Sequence, residues 1–160
     1  MHIRHVTQDD LQALLHIEQA SFTNEEAATE QAFCARITHI ADSFFVAVEQ
    51  NEVIGLINGP VSDERYITDD LFAHITQNRA SGGHQTVLGL AVLPNKRQQG
   101  VASALLQALE VQARNAKRET ITLTCQQSLV AFYERHGYVN EGQSSSTHAG
   151  ITWYNLVKPL

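Results

Sequence analysis

The sequence is short of the residues that staple or divide a chain. Two cysteines, Cys34 and Cys125, are too few for a disulfide framework or a cysteine-rich zinc module, and they fit a reducing, cytoplasmic compartment. Three prolines, with no Pro/Ser-rich tract and no repeat, leave no linker, so residues 1–160 read as a single domain. No apolar run reaches the ~18 residues of a membrane span, so no membrane partner is expected. Met1-His2-Ile3-Arg4-His5 lacks the apolar core of a signal peptide. Charged residues make up 18% against 43% hydrophobic, a balance that excludes a disordered tail. An excess of positive charge is also missing: the net charge of −6 argues against a nucleic-acid partner. Eight histidines are present, but without His-Glu-x-x-His, Cys-x-x-Cys or a compact acidic cluster, so no metal is expected.

What is there is unevenly placed. Residues 1–70 carry 13 Asp/Glu against three Arg, a net of −10, whereas residues 71–160 carry four Glu against eight Lys/Arg, a net of +4. Such a split either reflects what each half contacts or is chance placement of solvated charge.

The apolar pattern predicts a mixed α/β order. Ile3–Val6 reads as a strand. Thr7-Gln8-Asp9-Asp10 resembles a capping box, and Leu11, Leu14, Leu15, Glu18 and Phe22 then recur at helical spacing. A second helix is expected over 25–40, and a hairpin from Ser43–Glu49 and Val53–Asn58. Residues 60–83 form a long polar excursion, with a short helix near 69–77; an excursion of that length is usually functional. Thr86–Leu93 is almost wholly apolar and reads as one central strand buried on both faces. A long amphipathic helix follows from Val101 to about Lys117, then a strand over Ile121–Thr124. Ser128 is expected to cap a helix over Leu129–His136, with Gly137 ending it. Tyr138–Gln143 and Ile151–Val157 complete an antiparallel pair.

The most informative stretch is Arg97-Gln98-Gln99-Gly100-Val101-Ala102, where the apolar strand turns directly into a helix. Backbone N–H groups there, together with the positive end of the helix dipole, make a concave anion site. Gly100 allows close approach of the backbone, and Lys96 and Arg97 add positive charge. The stretch is neither a Walker loop nor a Rossmann fingerprint.

Val92-Leu93-Pro94-Asn95-Lys96-Arg97-Gln98-Gln99-Gly100-Val101-Ala102 resembles the signature motif of the GNAT acetyltransferases, an apolar strand followed by Arg/Gln-x-x-Gly-x-Gly/Ala and a helix. Leu129-Val130-Ala131-Phe132-Tyr133-Glu134-Arg135-His136-Gly137-Tyr138 resembles the later Phe-Tyr-Glu-Arg-x-Gly run of that family. The two motifs stand in the family's order, and the resemblance extends over essentially the whole chain. Within the family, Gly82-Gly83-His84 and Leu90-Ala91-Val92 look most like the arylalkylamine (serotonin-type) N-acetyltransferases and their bacterial relatives.

The resemblance implies an α/β (α+β) GNAT fold: a mixed, mostly antiparallel sheet flanked by helices, with central strands splayed at an acetyl-CoA site. It implies that Arg97, Gln98, Gln99, Gly100, Val101, Ala102 and Ser103 cradle the pyrophosphate, and that Leu90, Ala91 and Val92 pair with the pantetheine and polarise the thioester. Tyr133 is then the general acid, since a phenol of pKa about 10 can protonate a thiolate of pKa about 8.5. The family's paired histidines fall on Thr86 and Leu88, which cannot act as a base. His84, a solvent relay, or an acid from the N-terminal half remain as alternatives. Phe22, Glu25, Glu26, His148 and Trp153 lie where the family builds its acceptor pocket, although a solvated helix face or an aromatic core pair would also account for them. Cys125 reads as a small core residue rather than a nucleophile.

The expected activity is transfer of acetyl from acetyl-CoA to a small-molecule primary amine, an arylalkylamine or a polyamine. The alternatives are a protein or peptide N-acetyltransferase and a non-catalytic acyl-CoA-binding regulatory domain. The expected assembly is a monomer or homodimer.

Overall fold

The computed structural model describes residues 1–160. Strand β1 (His2–His5) is followed by helices α1 (Leu11–Ser21) and α2 (Glu30–His39) and then by strands β2 (Phe44–Glu49), β3 (Glu52–Asn58) and β4 (Val61–Ser62). Strands β5 (His84–Val87) and β6 (Gly89–Val92) lead into helix α3 (Val101–Asn115), strand β7 (Thr120–Cys125) and helix α4 (Gln127–Glu134). Strands β8 (Val139–Gln143) and β9 (Tyr154–Pro159) close the chain. The order is the one read from the sequence, with the short β4 added and the apolar stretch 86–93 divided in two.

That division organises the molecule. One sheet runs β1-β2-β3-β6 and the other β4-β5-β7-β9-β8. All neighbours are antiparallel except β5 and β7, which run parallel from His84↔Thr120 to Val87↔Leu123. Leu88 is the crossing point. Its N–H donates to the Asn58 carbonyl at 2.8 Å, which hands the chain over from β7 to β3. The link between β3 and β4 secures the same crossing: Thr86 donates from its N–H (3.1 Å) and its hydroxyl (2.6 Å) to the Pro60 carbonyl.

Local chemistry explains the elements. Gln50 and Asn51 both adopt positive φ (51° and 63°), giving the two-residue turn that suits the twist of the β2–β3 hairpin. Asp10 accepts the Thr7 N–H at 2.8 Å and both Arg4 nitrogens at 2.9 Å, fixing the entry to α1. Helix α2 starts later than its pattern predicts. Thr29 caps it through the Ala32 N–H (3.1 Å), while residues 23–27 form a separate turn closed by Ala27 N–H to the Thr23 carbonyl (2.8 Å). Ser128 lies inside α4, whose N-cap is Gln126, so it does not cap that helix. At the other end Gly137 (φ 90°) lets Tyr138 N–H reach back to the Tyr133 carbonyl at 3.1 Å.

The core joins α1, α2, α3 and both sheets, with Leu14, Ile17, Phe33, Phe44, Leu105 and Leu109 fully enclosed. Helix α3 lies close on β3 because Gly55 has no side chain: a Cβ there would sit 3.1 Å from both Leu105 and Val101. That contact fixes the start of α3 beside the end of β6. No helix is long and apolar enough to cross a membrane.

Candidate active site

The pairing of β5 with β7 ends at Val87 and Leu123; β6 then pairs β3 and not β7, and a wedge opens between β6 and β7. Leu93 N–H donates to the Ile54 carbonyl at 2.9 Å, in register with the pairs Ala91↔Leu56 and Gly89↔Asn58. Antiparallel alternation then turns the backbone groups of Leu90 and Val92 the other way, into the wedge. The Val92 carbonyl is occupied by the Arg97 Nε–H at 3.0 Å, and Arg97 also reaches Ser21 Oγ at 3.2 Å. The N–H groups of Leu90 and Val92 and the carbonyl of Leu90 are left as a free strand edge. Ala91, expected at this edge, has its backbone turned toward β3 and its side chain buried, so it does not face the wedge.

The loop above the wedge is shaped by two left-handed residues, Gln98 (φ 61°) and Gly100 (φ 83°). The N–H groups of Gly100, Val101, Ala102 and Ser103 donate to no group in the chain, and the first loop amide to do so inside α3 is Ala104, to the Gly100 carbonyl (3.0 Å). Four free amides at the positive end of a 15-residue helix form an anion seat. Gly100 has no atom within 4 Å of a would-be Cβ, so the seat is open. Ser103 Oγ is 2.8 Å from His136 Nε2, which ties α3 to the end of α4.

The wedge widens into a cleft of about 130 Å³. Val87, Leu88, Gly89 and Leu90 form one wall, and Leu123, Thr124, Cys125 and Gln126 with Leu129 and Tyr133 form the other. The Tyr133 ring is held edge-on by Phe132 (5.1 Å between centroids) and Tyr138 (5.6 Å). Its hydroxyl has no hydrogen-bond partner and is not sealed, so it opens into the cleft. Burial, with a smaller push from Cys125, raises the phenol well above the usual tyrosine range, so it keeps its proton at neutral pH. Burial likewise raises the Cys125 thiol to about 11, which makes it a poor nucleophile.

The far end of the cleft is acidic and aromatic. It is lined by Glu18, Phe22 and Glu26 from α1 and its continuation, by Asp69 and Phe72 from the 60–83 excursion, and by Ser146, His148 and Trp153 from the β8–β9 loop. Phe72 and His148 stack at 6.0 Å, Trp153 Nε1 donates to the His148 carbonyl (3.0 Å), and Ser146 Oγ donates to Asp69 (2.7 Å). The excursion is fastened at its base as well: Arg65 reaches Glu141 with two bonds (2.9 and 2.6 Å), and the Tyr66 hydroxyl adds a third (2.7 Å).

Phe22, Glu26, His148, Trp153, Leu90 and Tyr133 thus meet in one cleft. Glu25 does not; it is exposed to solvent away from it. His84 does not either. It begins β5, four residues before Leu88, and at ~3.3 Å per residue the strand carries it to the opposite end of the sheet. There its Nδ1 meets Thr120 Oγ1 at 2.8 Å and its Nε2 lies 3.5 Å from Glu119. Among the cleft residues that sequence reasoning missed are Glu18, Asp69 and Phe72. A readable signal existed for Glu18, an acid on the apolar face of α1.

The profile of the acetyltransferase (GNAT) family matches residues 11–138, and the chain belongs to that family. A sequence search among curated proteins finds no match. Among solved structures the chain is similar to Ard1 from Thermoplasma volcanium, at 19% identity and TM-score 0.78 over 99% of this chain and 97% of that one. It is similar to a GNAT-like decarboxylase, GphF, in complex with isobutyryl-CoA (17%, TM-score 0.82, 99% of both chains). It is also similar to a ribosomal-protein-alanine N-acetyltransferase from Brucella melitensis (21%, TM-score 0.72, 100% of both chains). Identities this low establish a common fold. Because a decarboxylase is among these structures, the reaction has to be argued from the site.

Proposed function

We propose that residues 1–160 act as one acetyltransferase domain that moves the acetyl group of acetyl-CoA directly onto a small-molecule primary amine, an arylalkylamine or a polyamine. The observation that carries this reading is a wedge with a free strand edge, open at one end to unpaired helix-start amides and at the other to an unpartnered, protonated tyrosine. The donor fits these residues. The amides of Gly100 to Ser103 suit a pyrophosphate, and the Leu90 and Val92 edge suits an extended amide chain such as pantetheine, which would add to β6 as a short strand.

Acetyl-CoA supplies an acetyl thioester already activated toward amines. The Leu90 N–H is placed to polarise its carbonyl, while Gln98 and Gln99 shape the loop that holds the phosphates. Tyr133 donates its hydroxyl proton to the departing sulfur. Burial raises the Cys125 thiol to about 11, which favours direct transfer over an acetylated-cysteine intermediate. The carboxylates and aromatic rings at the far end suit an amine that arrives as a cation attached to an apolar or aromatic body.

A peptide N-terminus is the second reading. It is favoured by the likeness to a structure described as a ribosomal-protein-alanine N-acetyltransferase. Release of free thiol from acetyl-CoA, measured across 2-phenylethylamine, tryptamine, spermidine and alanine-starting peptides, separates the two readings. No release with any amine, despite tight acetyl-CoA binding, would point to a regulatory acyl-CoA-binding domain.

A further inference from the structure

The two basic side chains next to the anion seat are turned away from it. Lys96 Nζ is paired with Glu49 at 2.8 Å, and Arg97 is engaged by the Val92 carbonyl (3.0 Å) and Ser21 Oγ (3.2 Å). What the seat does touch is an imidazole. Ser103, whose N–H is the last of the four free amides, has its hydroxyl oxygen 2.8 Å from His136 Nε2. The ring is fixed on its other side: Nδ1 lies 2.8 Å from the Phe132 carbonyl, and the Phe132 ring packs on it at 4.6 Å between centroids. A carbonyl only accepts, so Nδ1 carries a hydrogen whether the ring is neutral or charged. In the neutral ring Nε2 is then the bare acceptor, and the Ser103 hydroxyl donates to it. In the imidazolium the direction reverses. Nε2–H donates to Ser103 Oγ, and the hydroxyl hydrogen is released to turn toward the seat.

We propose that His136 holds the acyl donor through Ser103: as the phosphates settle on the amides, Nε2 takes up a proton from water, and the Ser103 hydroxyl swings from the ring to a phosphate oxygen. His136 is thereby a positioning residue for the donor. The proposal rests on the reading of Gly100 to Ser103 as the seat of the acetyl-CoA pyrophosphate, and deepens it. No covalent bond changes other than the N–H bond formed at Nε2. The seat gains one hydrogen-bond donor and, one side chain behind it, one positive charge. Both favour the occupied seat over the empty one.

The neighbouring charged groups are paired with one another or face solvent. From α3, Glu110 is paired with Lys158 (2.5 Å) and Arg114 (3.3 Å). From β9, Lys158 also donates to the His136 carbonyl at 2.9 Å, on the backbone side of the residue. From β8, Glu141 is taken by Arg65 (2.6 Å). Glu134 and Arg135 at the end of α4 are exposed. Tyr133 and Tyr138 are phenols that burial holds protonated. His136 lines a cavity of about 300 Å³ together with Gln107 and Lys158, which gives water a route to the ring.

The test is calorimetric titration of acetyl-CoA into wild type, His136→Gln and Ser103→Ala at pH 7.5, in HEPES and in Tris, whose ionisation heats differ. The dependence of the observed heat on the buffer counts the protons taken up. A phosphate monoester on the donor itself titrates at about pH 6, so His136 is read from the difference between wild type and variant. An imidazole is mostly neutral at this pH, and wild type should take up roughly half a proton more than His136→Gln. The glutamine keeps a donor and an acceptor but no charge. That variant should bind acetyl-CoA roughly fivefold more weakly than wild type at pH 6.5 and match it at pH 9. Equal proton counts, or affinities that differ by one factor at both pH values, would overturn the proposal, because a packing defect does not titrate. Ser103→Ala should lose most of the uptake; full uptake there overturns the relay through the hydroxyl. Should His136→Gln not fold, nitrogen NMR of the wild-type ring decides at pH 7.5. An imidazolium that forms when the donor binds supports the role, and a ring unchanged by the donor refutes it. Wild type that binds no acetyl-CoA overturns the donor reading itself, whereas tight binding without the proton difference removes His136 alone.

Discussion

Val87 and Leu123 face each other across the one parallel ladder of the structure, and theirs is the last pairing between β5 and β7. One residue later the chain belongs to the other sheet, held there by Leu88 N–H on the Asn58 carbonyl (2.8 Å). The wedge, its free edge and the opening to Tyr133 all follow from that change of partner.

Replacing Tyr133 by Phe should lower kcat about 100-fold while leaving acetyl-CoA affinity near wild type. The lost hydroxyl has no partner in the chain, so thermal stability should also hold. Stopped-flow thiol release alongside calorimetry checks this, and an unchanged kcat would remove Tyr133 as the acid.

Gly100 sits at φ 83° with open space beside it, so a larger residue there meets strain rather than a clash. A β-branched Val, holding left-handed backbone at a cost of about 1–2 kcal/mol, should pull the loop toward ordinary φ and misdirect the free amides. Acetyl-CoA affinity should drop roughly tenfold, on the equivalence of ~1.4 kcal/mol to one decade. Calorimetry giving wild-type affinity for Gly100→Val would show that these amides do not hold the donor.

Cys125 lines the same cleft, but its thiol is held protonated, with burial raising it to about 11. Cys125→Ala should keep kcat within about threefold, with initial-rate patterns that intersect as expected of direct transfer. Parallel patterns, or accumulation of an acetylated thiol by mass spectrometry, would reverse that assignment.

Arg65 and Tyr66 hold the Glu141 carboxyl down to about 2, against an ordinary value of 4.5. A depressed folded pKa means the clasp is fully present above pH about 4.5 and lost as pH falls toward about 2. Hydrogen exchange over 63–80 should therefore quicken in acid beyond its intrinsic pH trend. Glu141→Gln should show the quickened exchange already at pH 7, with a higher KM for the amine and little change in global stability. Unaltered exchange in the variant would mean that the clasp does not order the excursion.

Much of this was legible in the chain, for identifiable reasons. Gly100 after a basic, strand-terminating stretch announced the amide seat, and the Phe132-Tyr133 run placed the tyrosine. The division of residues 86–93 was not legible. An unbroken apolar stretch records burial on both faces and not which strand lies beside it, and at Leu88 that neighbour changes. His84 was close to the motif along the chain, but in an extended strand four residues are already more than ~13 Å. Glu18 was visible as an acid among Leu11, Leu14, Leu15 and Phe22. Its burial against the Ala28 N–H (2.7 Å) arises only through folding.

The free edge of β6 has a consequence for the protein as a material. Leu90 and the Val92 N–H on one side and β7 beyond Leu123 on the other are two strand borders left unsaturated inside the molecule. Any extended segment that enters the wedge can dock there, including one from a neighbouring chain. Acyl donor in the buffer would cover these borders, so concentrated preparations should stay dispersed with it and self-associate without it.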